Sequence, residues 1–561
     1  MAYLYTKDSL DKAGTSCYCQ GVRTHLATDD GQFTVIDLPP TAALVLPICR
    51  SLGLIETVDQ FCPVKKGKHL RHGQVAEFVV LSILQVPQRP PLCKMHVWAE
   101  EYGLSYLYGH SAQSFNDDRI GRGLDMIAEH LDEIEEAIVT KAMLVADVRP
   151  QAIHWDHKHV AFSEGKHASD LICRGYGDGQ VHERQIQMSA HIDSVTGLPL
   201  HHQVLAGNTA QAPLAKAMLQ TLQERFGRDD LIIVADRAGL DYDNVVTYQS
   251  RQAHFTGPVR VIAPQMREQL ASTPLEQFEV LRYLSMHQKT QVNYYCATKV
   301  ALNPSKKAVA AAKEAGQQAD EPKPVDVDAL LIFNVDRQLD DAAKRRKAIR
   351  KTCKRCQQIK DHIEAGVNNY RNHDFALKQV KAAVPKQLKD FVHCELSQQQ
   401  GRLSLRYWID RKAWRQARRA DGRYILLHSL GDLYSPDEIF ELYRRQGALE
   451  SQFRSLSSDL EINPLWLQKE GRIKALVLLY FLAMIIFAML GLLSRRARLA
   501  TEFYHTMTPR EMLHRCHALR VIRTQQHGQP PAYHVDIPDR QREILRALDL
   551  PNPAKWLRAP P

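Results

Sequence analysis

Cysteine is scarce in this chain, and its spacing follows no disulfide framework. The 11 cysteines among 561 residues are an odd number, which argues against the small disulfide-stabilised scaffolds of secreted proteins. The N-terminal segment lacks a basic flank followed by an apolar stretch, so no secretory signal peptide is predicted. We therefore expect reduced thiols in a reducing compartment.

The motifs of several common enzyme classes are also missing. The chain has no Walker phosphate loop, no dinucleotide-binding glycine fingerprint and no serine–histidine–aspartate order. The GYGDG segment at 175–179 is too short and wrongly placed for a phosphate loop, and we interpret it as a turn. Any catalytic chemistry must therefore come from other residues.

Charge is not extreme, and the composition is that of a globular protein. Lys plus Arg is 73 and Asp plus Glu is 63, which gives a formal net charge of +10. Hydrophobic residues make up 44% and charged residues 24% of the chain, which excludes wholesale disorder. The mild positive charge fits a polyanionic partner without demonstrating one.

One apolar run is long enough to cross a membrane. Leu476 to Leu493 contains no charged residue and reaches the lower length limit of a spanning helix. Basic residues flank the run on both sides, so it carries no orientation signal. The polar helical segment upstream needs an apolar surface to pack on, which favours burial of the run in a large soluble domain. A membrane anchor stays open as the alternative.

The periodicity of apolar residues changes along the chain. A helical pattern from 41 to 144, with Ser114 or Asn116 as an N-cap, gives way to three alternating segments that predict an antiparallel meander. The predicted order is strands at 153–162, 185–192 and 198–205, a helix at 212–226, a buried strand at 231–235, a helix at 241–251 and a strand at 259–263. We expect a loose arm at 1–35, a helical DNA-binding domain at 36–149, an α/β core at 150–264 and 433–500, an insertion at 265–432 and a helical tail at 501–561.

Three carboxylates stand out by their positions. Asp156 lies inside the first strand, Asp236 ends the apolar strand LIIVA, and Glu450 lies in a predicted helix at 437–458. Taken singly, each has an ordinary interpretation as a turn-former, a cap or a solvated charge. Together around one sheet they suit two-metal phosphoryl transfer, in which hard oxygen ligands hold two Mg²⁺ ions, or Mn²⁺ in their place.

Several stretches carry a resemblance to a known family. They are GLPLHHQVLAGNT at 197–209, IIVADRAGL at 232–240, DG at 421–422 and ELYRRQGALESQFRSLSSDLEINPLW at 441–466. In these and in the order of strands and acids, the chain resembles DDE transposases of bacterial insertion sequences. Within the IS-four superfamily it is most similar to the group named for insertion sequence sixteen thirty-four. The segment FNDDRIGRGLDMI at 115–127 fits the helical domain that precedes the core in this group.

The resemblance, which runs from about residue 36 to 495, implies a fold and an activity. The fold is a ribonuclease-H-like α/β core with a β-rich insertion, preceded by an all-helical domain. Asp156, Asp236 and Glu450 match the three catalytic, metal-binding acids. The implied enzyme binds the terminal inverted repeats of its element and cleaves and transfers DNA strands with two Mg²⁺ ions. Its partners are double-stranded end and target DNA and further copies of itself, in the bacterial cytoplasm and without a membrane.

The family pattern Tyr-x2-Arg-x3-Glu-x6-Lys is only partly matched. Tyr443 and Glu450 fit it, but Gln446 and Ser457 replace the two basic residues that face DNA phosphate. The residues that follow Asp156 also depart from the usual small hydroxylic pair. These departures leave a catalytically inactive, DNA-binding descendant open as the alternative. The predicted DNA contacts are Tyr443, Arg237, Arg444 and Arg454, with Arg445 as a further substitute.

Two zinc sites are conceivable alternatives. One would use histidines around Asp156 and on the third strand: His154, His157, His159, His201 and His202. The other would use Cys353 and Cys356, with His362 or His373. Because 154 and 157 point to opposite faces of a strand, and because no second cysteine pair follows, we favour solvated or phosphate-facing histidines and incidental thiols.

A strongly basic run lies in the insertion. Residues 341–360 contain nine Lys or Arg and one Asp. Such a run either contacts nucleic acid, where each neutralised phosphate adds a salt-dependent term, or forms a solvated helix face. The sequence leaves the two interpretations equally open.

Overall fold

The chain folds into two compact units, residues 1–210 with 445–561 and residues 211–444. Each unit combines helices and strands, so the fold is mixed α/β. The computed structural model describes residues 18–19, 22–27, 31–64, 70–86, 89–162, 169–175, 183–210, 214–237, 239–261, 263–283, 292–314, 322–399, 402–445, 447, 462, 465, 467–499, 506–525 and 532–553.

The N-terminal region of the first unit is helical, as the periodicity predicts. Asn116 caps one helix by accepting a hydrogen bond from the Arg119 backbone N–H at 2.8 Å, so one of the two predicted caps is confirmed. Two glycines with positive φ, Gly53 and Gly103, begin short helices after tight turns. The helices are α1 (Ala42–Ser51), α2 (Leu54–Phe61), α3 (His72–Ile83), α4 (Met95–Glu101), α5 (Leu104–Tyr108), α6 (Asp117–Ile127) and α7 (Leu131–Ala146).

Three short strands precede these helices, where the sequence predicted only a loose arm. They are β1 (Tyr18–Cys19), β2 (Val22–Ala27) and β3 (Gly31–Leu38). Strand β3 pairs antiparallel with β16 (Leu519–Gln525), which itself pairs with β17 (Ala532–Asp536). The prediction of a loose arm is therefore wrong for these strands, because β1 pairs with β2, β2 pairs with β3, and β3 also pairs with a strand nearly 500 residues away.

The predicted antiparallel meander follows α7. Strand β4 (Ala152–Ala161) is the first, the two-residue β5 (Cys173–Arg174) pairs beside β6 (Arg184–Asp193), and β7 (Pro199–Ala206) completes it. Strand β6 pairs antiparallel with both β4 and β7. The register places Ala190 opposite Asp156 on one side and opposite His202 on the other, so these three positions form one row across the sheet.

The second unit begins with a helix and a parallel pair of strands. Strand β8 (Ile232–Val234) is parallel to β9 (His254–Pro258), which is antiparallel to β15 (Arg423–His428). The same sheet continues through β12 (Val325–Asn334), β11 (Asn293–Leu302) and β10 (Glu279–Leu281), each antiparallel to the last. The strand predicted at 259–263 is wrong by a few residues, since β9 covers residues 254–258, although the Val259 backbone N–H still donates to the Ile425 carbonyl oxygen at 3.2 Å.

Helices make up much of the predicted insertion, so the expectation that it is β-rich is wrong. Its longest element spans 30 residues, because a run of Ala, Lys, Arg and Gln strongly favours a helix. Outside the sheet, β13 (Val392–Gln399) and β14 (Arg402–Ile409) form a hairpin. The helices of the second unit are α8 (Ala215–Phe226), α9 (Tyr242–Ser250), α10 (Pro264–Ser272), α11 (Lys306–Glu314), α12 (Val335–Glu364), α13 (His373–Ala383), α14 (Arg411–Arg418) and α15 (Pro436–Arg444).

The long apolar run forms a buried helix of the first unit. Helix α16 (Glu470–Arg496) is long and apolar enough to cross a membrane, but 94% of its most apolar window is buried inside the protein. It contacts α3, α6, α7 and β7, which bury its apolar residues. The tail contains β16 and β17 as well as α17 (Pro509–His514) and α18 (Asp539–Ala547), so the expectation of a helical tail is wrong.

Candidate functional site

Asp156, the first predicted acid, lies in the middle of β4. It is half-buried, and its Oδ1 accepts a hydrogen bond from the backbone N–H of His157 at 2.7 Å. A carboxylate inside a strand needs a polar partner or an ion on its face of the sheet. The row that contains Ala190 and His202 gives that face a second polar side chain.

Asp236, the second predicted acid, lies two residues beyond β8 in the second unit. It is half-buried and accepts the Gly239 backbone N–H, both at its carbonyl oxygen (3.1 Å) and at Oδ1 (3.2 Å). The bond to the carbonyl oxygen closes a turn at the end of a fully apolar strand, and the bond to Oδ1 orients the carboxylate. The neighbouring Arg237 is exposed, as a phosphate-contacting residue must be.

Tyr443 and Arg444 lie in the last turn of α15. The Tyr443 ring is half-buried, with its centroid 6.3 Å from that of Tyr424, while Arg444 is exposed. Burial and the adjacent Tyr443 hydroxyl raise the pKa of Tyr424. The guanidinium of Arg337 lies 4.6 Å from the Tyr424 ring centroid, which places a cation beside this aromatic pair.

The third acid, Glu450, lies outside the described residues, as do Arg454, Gln446 and Ser457. The predicted helix at 437–458 is present as α15, and its continuation falls in that same part of the chain. Within the described ranges, no group of three His, Cys, Asp or Glu side chains is placed to hold a metal ion. The acid triad therefore stays a prediction, whereas neither zinc arrangement forms among its described members.

The two histidines of β7, the last strand of the meander, have a different partner, which could not be identified from the sequence. His201 Nδ1 lies 2.6 Å from one carboxylate oxygen of Glu135 on α7, and His202 Nδ1 contacts the other oxygen. Burial opposes ionisation of Glu135, but the charge of His202 and the hydrogen bonds from both rings hold its pKa well below the usual range. An ionised carboxylate only accepts, so each ring carries a hydrogen on Nδ1.

His191 on β6 was also missed, and it lies at the centre of this group. It is fully buried, and its ring stacks on those of His201 (5.4 Å between centroids) and Trp155 (6.3 Å). Burial and the neighbouring His201 and His157 hold the pKa of His191 well below its usual value. Burial also lowers the pKa of His157 to about 4, so both rings are neutral in the folded protein at pH 7.

The basic run 341–360 lies on α12, where some of its cations are buried or paired and the others are exposed. One face of the helix packs through Ile349, Thr352, Cys356 and Ile359. Arg345 is largely buried, and Lys360 forms an ion pair with Glu364 at 3.7 Å. The remaining seven cations are exposed: Lys344, Arg346, Lys347, Arg350, Lys351, Lys354 and Arg355. They form the cationic face of α12.

The Asp-Gly dipeptide before β15 anchors this helix. Asp421 is buried and binds the Arg345 guanidinium through two hydrogen bonds, one of them 2.7 Å from Nη1 to Oδ2. Gly422 has a φ of +74°, and a Cβ there would lie 2.5 Å from the Asn334 carbonyl oxygen. Asn334 in turn caps α12 by accepting the Arg337 backbone N–H at 2.8 Å. The dipeptide therefore holds the N-terminal half of α12 against the sheet.

Comparison with known proteins gives two similarities. Residues 40–140 match a family model described as a domain of unknown function (DUF4277), which covers the helical N-terminal region. No curated protein matches the chain. Among solved structures, a cryo-EM structure of the piggyBac transposase synaptic complex with hairpin DNA is similar, with 11% identity and 87% of each chain covered, at a TM-score of 0.28.

Proposed function

We propose that this protein is a DNA transposase that cleaves and transfers strands at the ends of its element. The observation that carries the proposal is the position of two acids in the strand order. Asp156 lies inside the first strand of an antiparallel meander, and Asp236 follows a short apolar strand that pairs in parallel with the next. This order of three antiparallel strands, helix, strand, helix and strand is the one that a ribonuclease-H-like core requires.

The donor set fits a hard divalent cation. Asp156, Asp236 and Glu450 offer only carboxylate oxygens, which suit Mg²⁺ or Mn²⁺ and not the softer metals. When bound, two such ions supply Lewis-acid chemistry for in-line phosphoryl transfer. The Gly239 backbone N–H donates to Oδ1 of Asp236 at 3.2 Å and so orients this carboxylate.

The cationic face of α12 supplies the DNA-binding component of the proposal. Seven exposed cations on one rigid helix match the charge of a phosphate backbone, and their neutralisation of phosphates gives salt-sensitive affinity. Arg237 and Arg444 are exposed beside the second acid and beside Tyr443 and can contribute further phosphate contacts.

A strand-cleavage assay tests the proposal. Purified protein is incubated with labelled DNA that carries the genomic sequences flanking its reading frame, with Mg²⁺ or with EDTA. We expect cleavage that requires the metal ion and that is lost in Asp236→Asn and Glu450→Gln. Asp229→Asn makes the same chemical change at an exposed position before β8 and should cleave normally. Normal cleavage by Asp236→Asn would show that the acid assignment is wrong.

The catalytically inactive descendant is the second candidate, and the replacement of two basic residues by Gln446 and Ser457 favours it. It predicts salt-sensitive binding of the same DNA without cleavage in Mg²⁺ or Mn²⁺. Restoring Arg at 446 and Lys at 457 then becomes the decisive variant. Cleavage gained by that variant would identify those two positions as the cause of the lost activity.

A further inference from the structure

Two cysteines of the second unit lie within reach of each other. Cys356 on α12 and Cys394 on β13 place their Sγ atoms 3.6 Å apart, although 38 residues separate them in sequence. A disulfide needs about 2.05 Å between the sulfurs, so small side-chain rotations totalling roughly 1.5 Å close the gap. No part of the proposed transposase chemistry uses either thiol.

Their surroundings hold the two thiols together. Both belong to an apolar cluster formed by α12, α13 and the β13–β14 hairpin. Tyr407, which lies directly opposite Cys394 in the hairpin, donates a hydrogen bond of 2.7 Å to Gln357, the residue after Cys356. This bond fixes helix and strand at the point where the thiols meet, so their proximity belongs to the packed structure.

The two thiols differ in accessibility and reactivity. Cys394 is partly exposed, whereas Cys356 is 1% exposed. The hydrogen bond from the Cys356 thiol lowers the pKa of Cys394, while that contact and burial raise the pKa of Cys356. Because the thiolate is the reactive form, Cys394 is the first to react, and Cys356 is positioned to resolve the product.

We propose that Cys356 and Cys394 are a redox modification site, which forms a reversible intrachain disulfide when the protein meets a peroxide. The Cys394 thiolate attacks one peroxide oxygen, the O–O bond breaks, and hydroxide leaves to take up the proton that Cys394 had released. The Cys356 sulfur then attacks the sulfenic acid, and the S–O bond breaks with loss of water. The two thiols supply the two electrons that reduce the peroxide to two waters.

The disulfide would tie the helix that carries the cationic face to the hairpin. In a reducing compartment such a bond is transient, and thioredoxin-type dithiols reverse it by exchange. The chemistry is independent of the proposed transposase activity, because it uses no acid, metal ion or DNA.

Peptide mapping under non-reducing conditions tests the site. The full-length protein is treated with hydrogen peroxide at low protein concentration, alkylated and digested. We expect one crosslinked peptide pair joining Cys356 to Cys394, a loss of two titratable thiols per chain, and full reversal by dithiothreitol. Cys394→Ser should abolish the crosslink and leave Cys356 free for alkylation.

Cys353 provides the matched control. It lies one helical turn before Cys356, on the same side of α12, and is also partly exposed. Cys353→Ser should leave the crosslink unchanged. The proposal is wrong if the peroxide-treated wild-type protein keeps both thiols, or if the crosslink joins Cys353 to Cys394 instead. Neither outcome requires a variant of buried Cys356.

Discussion

Replacing Asp421 by asparagine removes one charge from the buried pair that holds α12 against the sheet. Asp421 is 3% exposed and Arg345 is 18% exposed, and two hydrogen bonds join them. An exposed pair contributes at most about 1 kcal/mol. Because this pair is shielded, loss of one partner leaves an uncompensated buried charge, and the expected cost is about 3–5 kcal/mol in the free energy of unfolding.

A double-mutant cycle separates the pair from its surroundings. Asp421→Asn, Arg345→Gln and the double variant are unfolded in urea at one pH and followed by circular dichroism. The double variant should be less destabilised than the sum of the two single variants, with a coupling energy of about 1–3 kcal/mol. The Arg345 guanidinium also lies 5.9 Å from the Phe391 ring centroid, so part of the Arg345→Gln cost is lost packing that the cycle removes.

Arg346→Gln is the matched control, since it removes the same charge from the exposed face one residue away. It should change the free energy of unfolding by no more than about 0.5 kcal/mol. Two results would refute the interpretation that the buried pair positions α12. One is that the changes in the free energy of unfolding of the two single variants add up to that of the double variant. The other is that Asp421→Asn lowers the free energy of unfolding by less than about 1 kcal/mol.

Two further predictions concern charge. Replacing Lys344, Arg346 and Lys347 by Gln should reduce the slope of log binding constant against log salt concentration by about 0.9 for each lost phosphate contact. An unchanged slope would show that this face is solvated and does not contact DNA. Acidification from pH 7.5 to 5 should lower the urea concentration at the midpoint of unfolding. Buried His191 stays neutral in the folded protein, whereas the same histidine in the unfolded chain takes up a proton below about pH 6.5. The free energy of unfolding therefore falls as the pH drops through that value. His191→Phe should weaken this pH dependence, and an equal dependence in both proteins contradicts it.

Local signals allowed the sequence to predict many elements. The helix at 117–127 begins at the predicted cap Asn116, and the buried strand predicted at 231–235 is present as β8 (Ile232–Val234). These elements depend on residues within a few positions of each other, so period and capping are sufficient to identify them. The apolar composition of α16 likewise indicated a helix, and its neighbours decided that it is buried.

Elements that depend on distant partners could not be predicted in the same way. The strands at 22–27 and 31–38 pair with each other, and the strand at 31–38 takes its other partner, β16, from near the other end of the chain. The exposed cations of α12 could be counted in the sequence, but only the structure shows that Arg345 is committed to Asp421.

The Glu135 cluster shows why the candidate site was only partly predictable. Glu135 lies at a position of α7 that shares a face with Ile138, Val139 and Ala142, and a charge in an apolar stripe is a signal for a buried partner. The partner itself was hidden, because adjacent residues on a strand point to opposite faces, so His201 and His202 would not be assigned to one ligand. They meet on one carboxylate next to a shift in the pairing register between His191 and Ile192. Strand β7 packs on both α7 and α16, and a bulge of this kind leaves no period in the sequence. The same carboxylate thereby connects the helical N-terminal region to β7, a link that no motif in the sequence signals.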